Sequence, residues 1–188
     1  MGKIQGISDI PLNENGLVQA KAFAKRLGRA EYNIKAIYSS PLIRALQTAE
    51  EVSNEHNLPV YIKDGLKELC FGAYEGLSWS EVFEKYPDDY AAFDKNRYDI
   101  PPKDGETYLH RSIEALKSLK EIVRENGGPD SENDVLCVTH SATFKSILCP
   151  IKQVPFNLML KAFPIKNLEE YVLEKEDVEY LMNIEMGK

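Results

Sequence analysis

Residues 134–140 of the chain, which read Asp-Val-Leu-Cys-Val-Thr-His, contain its clearest strand signal. A nearly continuous apolar run of this length is typical of a central parallel strand that is covered on both faces. The run ends at His140, and a helix is predicted to open just beyond it, near Ala142. This stretch therefore predicts an α/β fold with a strand-to-helix junction at His140.

The sequence on the N-terminal side repeats this alternation of helix and strand. The dipeptide Ser40-Pro41 predicts a helix start, with Ser at the N-cap and Pro at the first helical position, and this places Arg44 in the first turn. Apolar spacing and β-prone runs predict the remaining elements. The predicted helices are 14–28, 41–54 and 107–126, and the predicted strands are 34–38 and 60–62.

Two further segments complete the predicted architecture. Residues 78–106 form a polar helical pattern broken by Pro87 and followed by a Pro/Gly loop, which predicts an excursion from the sheet. Residues 171–173 and 180–184 alternate around an acidic turn, which predicts an antiparallel hairpin. The predicted fold is a single α/β domain over 1–188, with a mostly parallel sheet, helices on both faces, and a C-terminal antiparallel hairpin.

Composition narrows the class of protein. The 188 residues carry 23 Lys and Arg against 30 Asp and Glu, a net charge of −7, which is the wrong sign for general attraction to nucleic acid or an anionic membrane. Any anionic ligand therefore needs a local basic pocket. Three irregularly spaced cysteines predict a reducing, cytoplasmic compartment, and neither a membrane span nor a signal peptide is indicated. Oligomeric state is not readable from the sequence.

Polar residues follow two of the predicted strands, where helix N-termini present free N–H groups. Arg44 opens one helix, while His140 and Ser141 precede the other. A guanidinium fork, helix-terminal amides and an imidazole together suit a phosphate group. Each residue also has a simpler interpretation, because a first-turn Arg is often a solvated charge and a strand-end His is often structural.

A third candidate is Glu68, in the glycine- and aromatic-rich loop 65–76. An enclosed carboxyl beside the phosphate site formed by Arg44 and His140 could act as a general acid, although most loop glutamates are solvated. His56 and His110 are expected to face solvent. Aromatic residues of the excursion form either a pocket wall or, as we favour, its own core: Trp79, Phe83, Tyr86, Tyr90, Phe93 and Tyr98.

These residues resemble the histidine phosphatase (phosphoglycerate mutase-like) superfamily in order and interval up to about residue 150. The matching positions are 2–6, Asp9, 11–12, Gly16, 19–20, 39–49, Leu66, Glu68, Gly72, 75–76, 101–102, 105–106, Arg111 and 138–140. The resemblance implies that Arg44 binds the phosphoryl oxygens, His140 stabilises the transferring group, and Glu68 exchanges protons with the leaving group and water. It places Gln5, Gly6 and Ser141 in the substrate pocket. It implies no metal or other cofactor, because cationic side chains supply the charge.

The sequence departs from the family at the Arg-His-Gly segment, which ends the family's first strand and holds the nucleophilic His. The chain begins inside the block that follows this segment, and His140 already matches the family's second His. We therefore expect a displaced start or a missing segment, and loss of a central strand should uncover apolar surface and unpaired backbone groups.

The activity that the resemblance implies is hydrolysis of a small phosphomonoester through a phosphohistidine. A phosphatase is preferred because the chain is short and has one modest excursion, whereas the mutases carry longer insertions. Two alternatives stay open. One is a phosphoglycerate mutase, which product analysis would separate, and the other is a pseudophosphatase that binds phosphate without turnover. The partner in each case is a small phosphorylated metabolite.

Overall fold

The computed structural model of the chain describes residues 2–30 and 32–185. Helices and strands alternate through the first half, as predicted. The strands are β1 (Ile34–Ser39), β2 (Val60–Ile62) and β3 (Asp134–Val138). The helices are α1 (Glu14–Leu27), α2 (Ile43–His56), α3 (Trp79–Lys85), α4 (Pro87–Lys95), α5 (Tyr108–Glu125), α6 (Ser141–Ile151), α7 (Met159–Ala162) and α8 (Lys175–Asn183).

The sheet is parallel, with the strand order β2-β1-β3 in the described residues. Ile37 of β1 is in register with Val60 of β2 and with Leu136 of β3. The prediction that β3 is central is therefore wrong for these residues, since β1 occupies the middle. Within the described ranges, no strand pairs with the second edge of β3, and its residues 135–138 are only half-buried. The apolar strand therefore lines an open cleft.

Helices cover both faces of the sheet, as predicted. Ile37 of β1 packs with α1 and α2, in a cluster that includes Phe23 and Val52. The neighbouring Ala36 and Tyr38 point to the other face and pack with residues of α5, α6 and α8. This alternation along β1 follows from the two-residue repeat of a strand.

The start of α2 differs from the prediction. Its N-cap is Leu42, which offers no side-chain hydrogen bond, and not Ser40. The backbone N–H of Ile43 is instead capped at 2.6 Å by the carboxylate of Asp9, from a distant loop. Arg44 still lies in the first turn of the helix. The cap was not predicted because Asp9 lies 34 residues away in the sequence, while the Ser40 hydroxyl accepts the N–H of Leu42 at 3.2 Å, one residue before the helix begins.

The structure does not confirm the predicted C-terminal hairpin. Residues 175–183 form α8, which begins with a capping box between Glu174 and Asp177. Leu181 of this helix is buried against the sheet-covering helices, and the Lys120 ammonium of α5 donates to the Ile184 carbonyl at 2.5 Å. A helix satisfies its own backbone, whereas an isolated hairpin needs further strands or packing to be stable. The acidic turn residues therefore act as a helix start.

The excursion forms α3 and α4, separated at Pro87 as predicted. Ser78 opens α3 with a capping box to Glu81. Phe93 is fully buried among Tyr74, Tyr108 and other core residues, which confirms the core interpretation for this aromatic. Trp79 is different, since it is 38% exposed and lines the cleft. No helix in the described ranges is long and apolar enough to cross a membrane.

Candidate active site

A cleft of about 1400 Å³ opens at the carboxyl ends of β1 and β3 and continues along the unpaired edge of β3. The parallel sheet explains its position, because loops after adjacent strands converge at one edge. All six predicted site residues line it: Gln5, Gly6, Arg44, Glu68, His140 and Ser141. The structure thus brings together residues that lie up to 136 positions apart in the sequence.

Arg44 is half-buried at the base of this cleft. Its two terminal nitrogens donate to backbone carbonyls of the 6–8 loop, Nη1 to Ser8 at 2.9 Å and Nη2 to Gly6 at 2.6 Å. Burial lowers the pKa of the guanidinium, while the carboxylates of Glu68, Asp9 and Glu75 oppose that shift. An Arg has five N–H donors. The carbonyls orient the fork and leave other donors for an anion, so the solvated-charge interpretation of Arg44 is wrong.

Glu68 is buried at the N-terminus of α6. Its Oε1 accepts from the backbone N–H groups of Leu69 at 2.8 Å and Thr143 at 3.0 Å, and Oε2 accepts from the N–H of Ala142 at 3.1 Å. Burial raises the pKa of the carboxyl above its ordinary value, although these N–H groups oppose the shift. Burial therefore favours the protonated carboxyl, and the hydrogen bonds favour the carboxylate, which are the two forms that a general acid and base exchanges.

His140 is buried at the N-cap of α6, and its Nε2 lies 2.8 Å from the hydroxyl oxygen of Ser40. The same hydroxyl oxygen also accepts from the backbone N–H of Leu42 at 3.2 Å. Burial lowers the pKa of the imidazole to about 3, and the charges of Arg44 and Arg111 add to the shift. The ring is therefore neutral at pH 7, and a Ser40 hydroxyl that donates to Nε2 would leave a proton on Nδ1 for a ligand.

The other histidines lie outside the cleft. His110 is exposed, as predicted, and its Nδ1 lies 2.8 Å from a Glu106 oxygen. His56 is half-buried at the end of α2, so the prediction that it faces solvent is wrong. Among the residues that the structure describes, no group of three or more His, Cys, Asp or Glu side chains is placed to hold a metal ion.

Sequence reasoning missed several residues that shape the site. Asp9 caps α2, and buried Arg111 donates to the Gly65 carbonyl at 3.2 Å while its charge acts on His140. Glu75 binds the same loop that orients Arg44. All three fall in the resemblance, but their side chains act on backbone groups that are distant in sequence. No local pattern signals such contacts.

The cleft therefore joins an oriented guanidinium, a buried carboxyl and a neutral imidazole at helix N-termini, an arrangement that suits a bound phosphoryl group. The chain belongs to the histidine phosphatase superfamily (branch 1), whose pattern matches residues 1–182. Its relatives include phosphoserine phosphatases and 2,3-bisphosphoglycerate-dependent phosphoglycerate mutases.

Two relatives with similar sequences are phosphoserine phosphatases. The chain is 36% identical over 154 residues to a metal-independent phosphoserine phosphatase of Arabidopsis thaliana, covering 81% of this chain and 63% of the relative. It is 32% identical over 151 residues to phosphoserine phosphatase 1 of Hydrogenobacter thermophilus, covering 80% and 69%. The chain thus spans about two thirds of the length of these relatives.

A solved structure agrees with the fold. The phosphoserine phosphatase of Entamoeba histolytica, in complex with 3-phosphoglyceric acid, superposes with a TM-score of 0.75 at 29% identity. The match covers 89% of this chain and 79% of that chain. The α/β architecture is therefore that of the family, and the predicted family and fold class are confirmed.

The depressed pKa of His140 predicts acid lability of the fold. The imidazole is neutral in the folded protein down to about pH 3, but it titrates near its ordinary pKa of 6.5 when unfolded. Its contribution to stability is therefore complete above pH 6.5 and is lost as pH falls towards 3. At pH 4.5 we expect the loss to be about 3 kcal/mol, from the linkage between protonation and folding. Urea unfolding of wild type and His140→Gln at pH 8 and pH 4.5 measures it.

The comparison between these two proteins isolates His140, because the raised pKa of Glu68 acts in the opposite direction and is present in both. We expect the variant to lose less stability than wild type between the two pH values. His110→Gln, at an exposed position, is the matched control and should behave as wild type. Parallel pH profiles for wild type and His140→Gln would contradict the prediction.

Proposed function

We propose that the protein acts in metal-independent hydrolysis of a small phosphomonoester through a phosphohistidine. The observation that carries the proposal is the juxtaposition of Arg44, Glu68 and His140 in one cleft, with Glu68 buried at the N-terminus of α6. The names of the phosphoserine phosphatase relatives support a phosphorylated small molecule as substrate. A cytoplasmic location stays a prediction.

The proposed roles follow from the charges. Arg44 binds the phosphoryl oxygens with the donors that the loop carbonyls do not occupy, and neutral His140 donates to a further oxygen. Positioning and electrostatic stabilisation of this kind carry most of the catalysis in phosphoryl transfer. The helix N-terminus at Ser141 adds a partial positive charge at the same place.

Glu68 is proposed to exchange the protons. As the nucleophile bonds to phosphorus and the phosphorus–oxygen ester bond breaks, the protonated carboxyl gives its proton to the leaving oxygen. The resulting carboxylate then takes a proton from the water that attacks phosphorus and breaks the phosphorus–nitrogen bond. Oε2 suits this role because it accepts one hydrogen bond from the described residues, which leaves a lone pair for the proton.

The nucleophile is proposed to be a histidine that the present sequence does not contain. His140 is the one histidine of the three that lines the cleft, and its Nε2 is engaged by Ser40. The cleft also follows the unpaired edge of β3 to the point where that strand ends at His140. A parallel strand laid along this edge would end beside Arg44 and His140, which is where the family's Arg-His-Gly segment is required.

Binding of inorganic phosphate tests the proposal without turnover. We expect Arg44→Ala to weaken phosphate binding to the 188-residue chain by roughly 1.5–3 kcal/mol, the usual contribution of a charged hydrogen bond. Arg44→Lys should recover only part of the loss, because a single ammonium cannot reproduce the fork. Isothermal titration calorimetry measures both affinities.

The matched control is Arg29→Ala, at an exposed position outside the cleft. It should bind phosphate as wild type does. An unchanged affinity in Arg44→Ala, or no phosphate binding by the wild-type chain, would remove Arg44 from the proposed site and overturn the proposed function.

A further inference from the structure

Glu75 has an unusually complete set of hydrogen bonds for a loop carboxylate. Oε1 accepts from the N–H groups of Ile7 at 3.0 Å and Phe71 at 3.1 Å. Oε2 accepts from the N–H of Ser8 at 3.0 Å and from its hydroxyl at 2.5 Å. A carboxylate has about four acceptor positions, so all of them are used.

These donors connect Glu75 to Arg44 through one short stretch of backbone. Ser8 gives its N–H to Glu75 and its carbonyl to Arg44 Nη1, while Gly6 gives its carbonyl to Nη2. The 6–8 loop therefore lies between the carboxylate and the guanidinium. The peptide group between Gly6 and Ile7 is shared directly, since its N–H binds Glu75 and its carbonyl binds Arg44. Ser8 binds Glu75 through its N–H and Arg44 through the carbonyl of the next peptide group.

The close approach of Gly6 to Glu75 shows how tightly the loop is held. Gly6 has φ +53°, and a Cβ built on it would lie 2.0 Å from Oε1 of Glu75. No side chain larger than hydrogen fits between the loop and the carboxylate at this position. Glycine at this position therefore allows the loop to lie against the carboxylate, and the hydrogen bonds hold it there.

A separate backbone contact holds the start of the loop without the Glu75 side chain. The Ile4 N–H donates to the Leu77 carbonyl at 2.8 Å, and the Gly76 N–H donates to the Ile4 carbonyl at 2.8 Å. Ile4 is also buried in the hydrophobic core. A change at Glu75 should therefore loosen residues 6–8 while Ile4, just before the loop, stays in place.

We propose that Glu75 is a positioning residue for phosphate binding, which acts by fixing the 6–8 loop whose carbonyls orient the guanidinium of Arg44. The inference rests on the proposed function, because it assumes that Arg44 binds the phosphoryl group. Glu75 itself makes no contact with substrate in this scheme. Its negative charge also offsets the burial of the guanidinium, which lies behind the loop.

The test is a double-mutant cycle read by the dissociation constant of inorganic phosphate. Glu75→Gln places an amide NH₂ against two N–H donors and should weaken phosphate binding to the 188-residue chain about tenfold. Because the effect passes through Arg44, adding Glu75→Gln to Arg44→Ala should weaken binding no further. A merely structural role would weaken both backgrounds equally.

Two further variants keep the test decisive. Glu106→Gln is the matched control, since its carboxylate binds the Cys70 N–H at 2.8 Å in the same region without touching the 6–8 loop. Ser8→Ala removes one of the four bonds at little risk to folding, and should weaken binding about twofold in wild type and not at all in Arg44→Ala.

The outcomes separate the two proposals. If Arg44→Ala binds phosphate normally, the proposed function fails. If Arg44→Ala weakens binding but Glu75→Gln and Ser8→Ala do not, or if their effects add to that of Arg44→Ala, the function stands and the role of Glu75 is overturned.

Discussion

Replacing Glu68 by Gln should slow phosphoryl transfer from alkyl phosphates by about 10²-fold or more, the usual contribution of a positioned general acid. Transfer from p-nitrophenyl phosphate should fall much less, because its leaving oxygen hardly needs a proton. The experiment requires a form that turns over, in which a strand ending in the family's Arg-His-Gly precedes Gly2. We refer to it as the extended form.

Rapid-quench kinetics separate the two proton transfers assigned to Glu68. The variant should release p-nitrophenol in a single burst and then stall, because the carboxylate that activates water is missing. Glu84→Gln, at an exposed position, is the matched control and should show steady turnover. Equal losses on both substrates in the first turnover would mean that Glu68 only shapes the pocket.

The local elements of the fold were predictable from the sequence because their signals are local. The bounds of α1 and β1 follow from apolar spacing, and Ser78 and Thr107 cap α3 and α5 with their own side chains. The structure of the C-terminal segment, residues 171–184, was not predictable from local signals. Residues 180–184 alternate like a strand, but Glu174 and Asp177 supply a capping box and Leu181 finds a buried site on α5 and α6. Tertiary packing decides such short segments.

The candidate site likewise contains residues that the sequence predicts and residues that it does not. Arg44 and His140 were predictable because each follows a strand, and parallel strands deliver their ends to one edge. The roles of Asp9 and Glu75 were not, since they bind backbone N–H groups of segments 34 and 67 residues away. The pKa directions of Glu68 and His140 also depend on burial, which a sequence pattern does not measure.

The proposed roles imply that the 188-residue chain binds phosphate but does not turn over. Arg44, Glu68 and His140 can polarise a phosphoryl group, but covalent catalysis needs a nucleophile that attacks in line and later releases the group. His140 is poorly suited, because its Nε2 is engaged by Ser40. We expect no phosphohistidine in this chain, and hydrolysis at least about 10³-fold below that of the extended form, by analogy with loss of a nucleophile elsewhere.

Rapid quench with intact-mass detection after mixing with a phosphodonor measures the phosphorylated species directly. The matched control is the extended form with Asn at the added His position, which should restore the strand along β3 but not the phosphohistidine. The extended form with His140→Asn should still be phosphorylated, more slowly, because His140 stabilises the transferring group and does not receive it. A phosphoryl group on His140, or robust turnover by the 188-residue chain, would contradict the prediction and make His140 the nucleophile, with Ser40 as the residue that orients it.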